Sequence, residues 1–355
     1  MHIENKTKIE KNNLFYNPEM EINRDIISST IGVLKAKIVC DGHSASGVKG
    51  IRSAMENNGV EKVYLVDYSE KCCNVIIKNI ELNEIEKKCE VVKEDINKFI
   101  MDKKFDFIEI DPFGSPVPHL YYVLESASKG KEKCFSITAT DVQVLCGPET
   151  DACERSYGVK RLRQECVHEW GLRTLITKVQ KMFAEKNVCT YPLLSLSHKH
   201  YLKVIFRTEK NAEKTSELLK THSHLMYCEK CKNRKYIQVG ENKKCGLCGN
   251  ENTLIRGPFY TGKLHDSEFV MKLINEIEKR NYKNKEEELK LLNRIKEENF
   301  EGMCYDLHKI YKGKEIPKTE LIFEKLKNEK YKFALTQYND NWIIRSNCSF
   351  KEIKL

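Results

Sequence analysis

At 355 residues, with 40 % hydrophobic and 32 % charged residues, the chain has room for two or three domains and does not have the composition of a disordered or membrane-spanning protein. No apolar run approaches the roughly 18 residues that span a bilayer, and Met1 to Asn13 resembles neither a secretory signal nor a transit peptide, so an intracellular protein with no membrane partner is expected. A net charge of +9 over this length does not by itself imply nucleic acid, and fifteen cysteines inside a cell are expected to be core thiols or metal ligands rather than disulfides.

The regular pattern begins near Lys35. Ala36-Lys37-Ile38-Val39-Cys40 reads as a buried strand entering the small-residue loop Asp41-Gly42-His43-Ser44-Ala45-Ser46-Gly47. Val48, Ile51 and Met55 recur at near-helical spacing, Gly59 stops the helix, and Lys62 to Asp67 forms a second strand closing on an acid. A helix over Lys71 to Asn83 and strands at Glu90–Val92, Phe105–Ile110 and Cys134–Thr138 continue the alternation. This pattern predicts an α/β fold with a mostly parallel, doubly wound sheet. An amphipathic helix follows, marked by Leu172, Leu175, Ile176, Val179 and Phe183. The strands Tyr191–Ser197 and Tyr201–Thr208 are joined too briefly for anything but an antiparallel pair.

Near residue 210 the composition turns charged and polar, which places a boundary between an α/β domain over 1–210 and a smaller α+β domain over 211–355. Tyr227 to Gly257 reads as an inserted metal element centred on 226–250. A charged amphipathic stretch runs from Glu268 to Asn299, Leu307, Ile310 and Tyr311 share a helical face, and Pro317 opens a further helix. Two β-like runs, Tyr331–Thr336 and Trp342–Ser346, are joined by Asn339-Asp340-Asn341, giving a winged-helix-like end over 300–350. The lysines from Lys309 to Lys332, diluted by Glu315, Glu320, Glu324 and Glu329, read equally as a phosphate-contacting face or a solvated one.

Three successive strand ends carry the ligand chemistry. The loop after the first strand lets backbone approach a ligand but does not match the dinucleotide spacing. Asp67 can accept both hydroxyls of a ribose, and Asp95 can accept from an adenine amino group while Ile96 packs on the ring. With no phosphate-cradling loop, a nucleoside ligand such as S-adenosylmethionine fits better than NAD or ATP.

The fourth strand leads into Asp111-Pro112-Phe113-Gly114-Ser115-Pro116, a rigid turn at the carboxyl edge of the sheet. An exocyclic base amine has its lone pair delocalised into the ring, so its methylation needs an acceptor that holds an N–H and takes the proton. Asp111 suits that task and Phe113 can stack on the base. Glu109 is read as structural. Cys228-x2-Cys231, thirteen residues, then Cys245-x2-Cys248 is a four-thiolate zinc pattern with no open position, hence structural. Cys72, Cys73, Cys146, Cys153 and Cys166 lack ligand spacing, His168 beside Glu169 suits either the pocket or a structural hydrogen bond, and His198 and His200 decorate a turn.

These segments, together with Phe15-Tyr16-Asn17-Pro18, Ser44 to Arg52, Thr138-Ala139-Thr140-Asp141 and Pro192 to Ser197, resemble the tRNA (guanine(26)-N2)-dimethyltransferase family over most of the chain. The resemblance implies a Rossmann-like class I methyltransferase sheet with an antiparallel last strand over 1–210 and a tRNA-binding C-terminal domain. It implies S-adenosylmethionine and structural zinc as cofactors, tRNA as partner, and no obligate protein partner. Arg24, Asp67 and Asp95 would contact the cofactor, Asp111 would be catalytic, and Phe15 and Phe113 would frame the guanine. Family members usually carry two arginines between positions 49 and 52, whereas this chain has Lys49 and Arg52, so either could reach the cofactor carboxylate. The zinc element and the Pro192 segment resemble the eukaryotic branch, which implies a nucleus if the source is eukaryotic and a cytoplasmic enzyme otherwise. Two alternatives stay open: an amino-methyltransferase for adenine in DNA or ribosomal RNA, and a non-catalytic zinc-containing RNA-binding protein.

Overall fold

A computed structural model describes the whole chain except residues 12, 13, 15, 131, 339–341, 354 and 355. Its largest sheet has seven strands: β1 (Ile38–Gly42), β2 (Lys62–Asp67), β3 (Cys89–Lys93), β4 (Phe107–Ile110), β5 (Glu132–Ala139), β6 (Val188–His198) and β7 (Tyr201–Lys210). Their order is β3-β2-β1-β4-β5-β7-β6. β1 lies parallel to β2 and β4, β2 to β3, and β4 to β5. The strand order reverses between β1 and β4, and a ligand crevice opens outside the carboxyl ends of strands at such a switch point. β4 is buried at every residue, which its near-continuous apolar run reflects. Only Lys199 and His200 separate β6 from β7, so these neighbours are antiparallel.

Helix α1 (Glu21–Leu34) precedes β1, α2 (Val48–Glu56) and α3 (Glu70–Leu82) link β1 to β2 and β2 to β3, and α4 (Ile96–Met101) and α5 (Val117–Ala127) follow β3 and β4. Gly47 enters α2 at φ 79°, a left-handed conformation that favours glycine, and a Cβ there would press on Ile76 at 3.1 Å. At the end of β1 a Cβ on Gly42 would lie 2.9 Å from the Glu109 carbonyl and 3.0 Å from Ile96 Cγ1. Glycine therefore lets the start of α4 close against the end of β1.

By contacts the chain forms two compact units, Met1–Ala139 with Val204–Lys210 and Asp266–Asn293, and Thr140–Lys203 with Asn211–His265 and Arg294–Leu355. This division differs from the compositional boundary at residue 210, because each unit draws chain from both sides of it.

The amphipathic stretch from Glu268 is broken into helices Ser267–Lys279 and Lys285–Glu297. The break lies where Arg280 and Tyr282 turn inward. Arg280 donates to Ser28 Oγ at 3.0 Å and Asn57 Oδ1 at 2.6 Å, and the Tyr282 hydroxyl donates to Glu56 at 2.9 Å.

The second unit holds helix Val167–Ala184 and two three-stranded sheets. One comprises Arg234–Ile237, His222–Tyr227 and Leu254–Tyr260. The other comprises Met303–Asp306, Ile343–Ser346 and Phe333–Leu335, with Leu307, Ile310, Ile322 and Leu326 packed in its core. The strand Met303–Asp306 had no counterpart in the sequence pattern, whereas the expected link Asn339-Asp340-Asn341 lies outside the described residues. Glu169 is a buried ion-pair centre, accepting from Arg173 at 2.8 Å and Arg345 at 2.7 Å, and His168 pairs with Ser197 at 3.0 Å. Among the described residues no helix is long and apolar enough to cross a membrane.

Candidate active site and metal centre

The carboxyl ends of β1, β2, β3 and β4 bring Asp41, Asp67, Asp95 and Asp111 to one edge of the sheet. Asp67 fastens two loops there: Oδ2 accepts from the Ala45 amide at 3.0 Å and Oδ1 from the Ser69 amide at 2.9 Å. A carboxylate offers about four lone-pair sites, so these bonds leave capacity for ligand hydroxyls. Asp95 is exposed and caps α4 through the Asn97 amide at 2.8 Å, while Ile96 beside it is buried against the end of β1. His43, at φ 61° in the loop after β1, meets the His119 ring edge-on at 4.7 Å. Its Nδ1 is buried without a hydrogen-bond partner, and burial first, then His119, pushes its pKa down to about 4. An uncharged, unsatisfied imidazole within electrostatic reach of Asp67 and Asp111 suits a site built for a polar ligand.

Asp111 lies just past β4, and Pro116 caps the helix that follows its turn. Gly114 at φ 85° turns the chain outward, leaving Phe113 79 % exposed. Such exposure of a large ring is unusual for a packed turn and suits a stacking platform. Tyr68, next to Asp67, is equally prominent at 79 % and carried no sequence signal. Phe15 lies outside the described residues.

The three expected cations are placed very differently. Lys49 extends from α2 to donate to Glu109 at 2.9 Å and to Asp111 Oδ2 at 2.5 Å. Burial opposes its charge, but Asp111, Glu109 and Asp41 outweigh that and hold the ammonium protonated. Asp41 shares the cluster and is pushed up to about 7, chiefly by burial. Three carboxyl groups around one lysine leave an excess of negative charge, which suits a cationic ligand.

Arg52 is fully enclosed, with Nε on Glu56 at 2.7 Å, Nη1 on Glu4 at 2.6 Å and Nη2 on Asp25. Arg24 forks onto the same Glu4 at 2.7 and 2.6 Å and donates to the Asn17 carbonyl at 3.1 Å. Glu4, absent from the sequence reading, joins the two arginines. Burial raises its pKa, but the arginines outweigh burial and hold the carboxyl at about 2.

In the second unit the four expected cysteines converge, their sulfur atoms all within 4.8 Å of one another. Cys228 and Cys248 are 3.6 Å apart, and Cys231 and Cys245 3.5 Å. A tetrahedral zinc with sulfur at about 2.3 Å requires edges of about 3.8 Å, so the donor set fits that ion. The two knuckles repeat each other: the Cys228 amide donates to Asn233 O and that of Cys245 to Asn250 O, both at 2.8 Å. Their asparagine side chains cross over, Asn250 reaching Cys228 Sγ at 3.5 Å and Asn233 reaching Cys245 Sγ at 3.7 Å. Bonds of this kind support thiolate charge. The shared spacing Cys-x2-Cys-x-Asn marks both asparagines in the sequence.

The family model for N2,N2-dimethylguanosine tRNA methyltransferase matches residues 1–354. A tRNA (guanine(26)-N(2))-dimethyltransferase of Methanobrevibacter smithii is 33 % identical over 354 residues, covering 96 % of this chain and 90 % of that protein. A tRNA (guanine(26)-N(2)/guanine(27)-N(2))-dimethyltransferase of Aquifex aeolicus is 36 % identical over 284 residues, covering 77 % and 72 %. The solved complex of Trm1 from Pyrococcus horikoshii with S-adenosyl-L-methionine superposes with a TM-score of 0.89 at 29 % identity, covering 99 % of this chain and 98 % of that one.

Proposed function

The chain belongs to the N2,N2-dimethylguanosine tRNA methyltransferase family, and from that premise we propose that it methylates N2 of guanine 26 in tRNA, with Asp111 as the proton acceptor. Membership makes it a tRNA guanine-N2 methyltransferase that uses S-adenosylmethionine. The observation that carries the residue assignment is the position of Asp111 at the sheet's switch point, in a rigid turn that presents Phe113.

When bound, S-adenosylmethionine supplies a methyl group activated on a sulfonium. Asp67 accepts from its ribose, Asp95 accepts from its adenine amino group, and Ile96 lines the ring. Its carboxylate falls to Lys49 and Arg24, whose side chains keep 12 % and 6 % exposure; Arg52 keeps none and serves as scaffold. The excess of negative charge around Lys49 favours a sulfonium nearby.

Phe113 stacks on a guanine swung out of the tRNA helix. Asp111 accepts an N2–H bond, which orients the nitrogen and localises its lone pair. As the N–C bond forms, the N–H becomes far more acidic, so a carboxylate already paired with lysine is base enough to take the proton. One N–H remains after the first transfer and none after the second, which makes dimethylguanine the chemical end point.

The zinc cluster is assigned a structural role in the 211–355 segment, where exposed Lys309, Lys312, Lys314 and Lys327 support tRNA binding. The relatives compared are archaeal and bacterial, which supports the cytoplasmic alternative over the nuclear one. The test is methyl incorporation from labelled S-adenosylmethionine into an unmodified tRNA transcript, its guanine 26→adenine variant, DNA and ribosomal RNA. Incorporation is expected only in the first; transfer to DNA or ribosomal RNA adenine would overturn the assignment.

A further inference from the structure

Glu109 and Asp111 stand two residues apart at the end of β4, and both reach one ammonium. Glu109 is 1 % exposed, and its side chain spans from the strand to Lys49 on α2. A buried carboxylate costs a great deal unless something charged is held against it, so this pairing is specific rather than incidental. Lysine has three N–H donors on a flexible stem and, unlike arginine, no planar fork that fixes its direction. Among the described residues Lys49 places two donors, one on Glu109 and one on Asp111, leaving a third for a carboxylate ligand.

We propose that Glu109 is a positioning residue for methyl transfer: it anchors Lys49 so that the same ammonium can orient Asp111 and meet the cofactor's carboxylate. The inference rests on the assignment of Asp111 as proton acceptor. Without Glu109 the lysine has one anchor instead of two, and it follows Asp111 rather than directing it. Asp111 then samples orientations that miss the guanine N–H, and a small angular error is enough to slow a transfer that depends on alignment.

The test uses the full chain with tRNA and S-adenosylmethionine, comparing Glu109→Gln, Lys49→Met, the double variant and Asp111→Asn. Glu109→Gln is expected to lower kcat about tenfold or more, with KM for tRNA little changed. In the Lys49→Met background, where there is no ammonium to anchor, adding Glu109→Gln should cost nothing further.

A loss that multiplies undiminished in the double variant, or one that falls on KM for tRNA rather than kcat, would overturn the role of Glu109. Should Glu109→Gln fail to fold, Glu109→Asp shortens the reach and keeps the charge. A loss that vanishes in the Lys49→Met background supports the inference, and one that persists overturns it. Asp111→Asn separates the two levels: if it still methylates guanine, the acceptor assignment itself fails, whereas a dead Asp111→Asn beside an indifferent Glu109→Gln sinks only the anchoring role.

Discussion

Lys49 and Asp111 meet at 2.5 Å between Nζ and Oδ2, joining α2 to the turn after β4. The pairing fixes the direction of Asp111 before substrate arrives, which is where a well-aligned transfer gains most. Asp111→Asn keeps the shape but cannot take a proton. It is expected to lower kcat by about 10²–10⁴-fold while the Kd for S-adenosylmethionine changes by only a few fold. Single-turnover methyl transfer and calorimetric cofactor titration measure the two quantities separately.

Lys49→Met and Arg52→Met should fail in different ways. Loss of a charged hydrogen bond to the cofactor carboxylate corresponds to about 10- to 100-fold weaker cofactor binding for Lys49→Met. Arg52→Met leaves Glu4, Asp25 and Glu56 around a missing buried cation. It is expected to lower stability by about 3–5 kcal/mol. Denaturant unfolding and cofactor titration of both variants check the contrast; a stable Arg52→Met that cannot bind cofactor would reverse the two roles.

Metal analysis of the purified chain should give one zinc per molecule. Removing it, or substituting Cys245→Ser, is expected to open the segment from Cys228 to Asn250 to limited proteolysis, because the four thiolates have no other common partner there. Asn233→Ala and Asn250→Ala should each weaken zinc binding by about 10- to 100-fold, as removal of bonds to metal ligands does. Competition with a chromogenic chelator reads that change.

A buried carboxyl gives the first unit a definite pH response. Burial first, and then Asp25, pushes Glu288 from 4.5 up to about 10. Its native form therefore keeps its proton through neutral pH, while the unfolded chain releases it near 4.5. Stability falls as pH rises between those values, by up to about 1.4 kcal/mol per pH unit. Asp41 acts in the same direction between 3.8 and about 7, whereas Glu4, held at about 2, loses its contribution as pH falls below 4.5. Stability governed by these groups is expected to be greatest near pH 4, where the gain from Glu4 gives way to the losses from Asp41 and Glu288. Glu288→Gln should flatten the decline between pH 7 and 9, as measured by thermal unfolding; an unchanged slope would remove Glu288 as its source.

The legible part of the sequence was the part whose physics is local. The strand endings at Asp67 and Asp111 follow from apolar runs and turn residues, and the cysteine pattern follows from how a knuckle bends. Arg52 shows what is not local. On an amphipathic helix beside a small-residue loop it reads as a ligand contact, and its pairing with Glu4 and Asp25, brought from far along the chain, has no local signal. Glu109 reads as an ordinary strand residue until Lys49, sixty positions away, is seen to reach it. The break at Arg280 has the same origin, since the groups that draw Arg280 and Tyr282 inward lie on α1 and at the end of α2. The strand Met303–Asp306 is short and takes its register from Ile343–Ser346, so no periodicity of its own marks it.

The most direct measurement is nucleoside mass spectrometry of an unmodified tRNA transcript incubated with the protein and S-adenosylmethionine, with the modified position mapped by fragment sequencing. The expected result is N2-methylguanosine appearing first and passing to N2,N2-dimethylguanosine at position 26, with neither product formed by Asp111→Asn. Methylated adenosine in place of guanosine, or dimethylguanosine made equally well by Asp111→Asn, would contradict it.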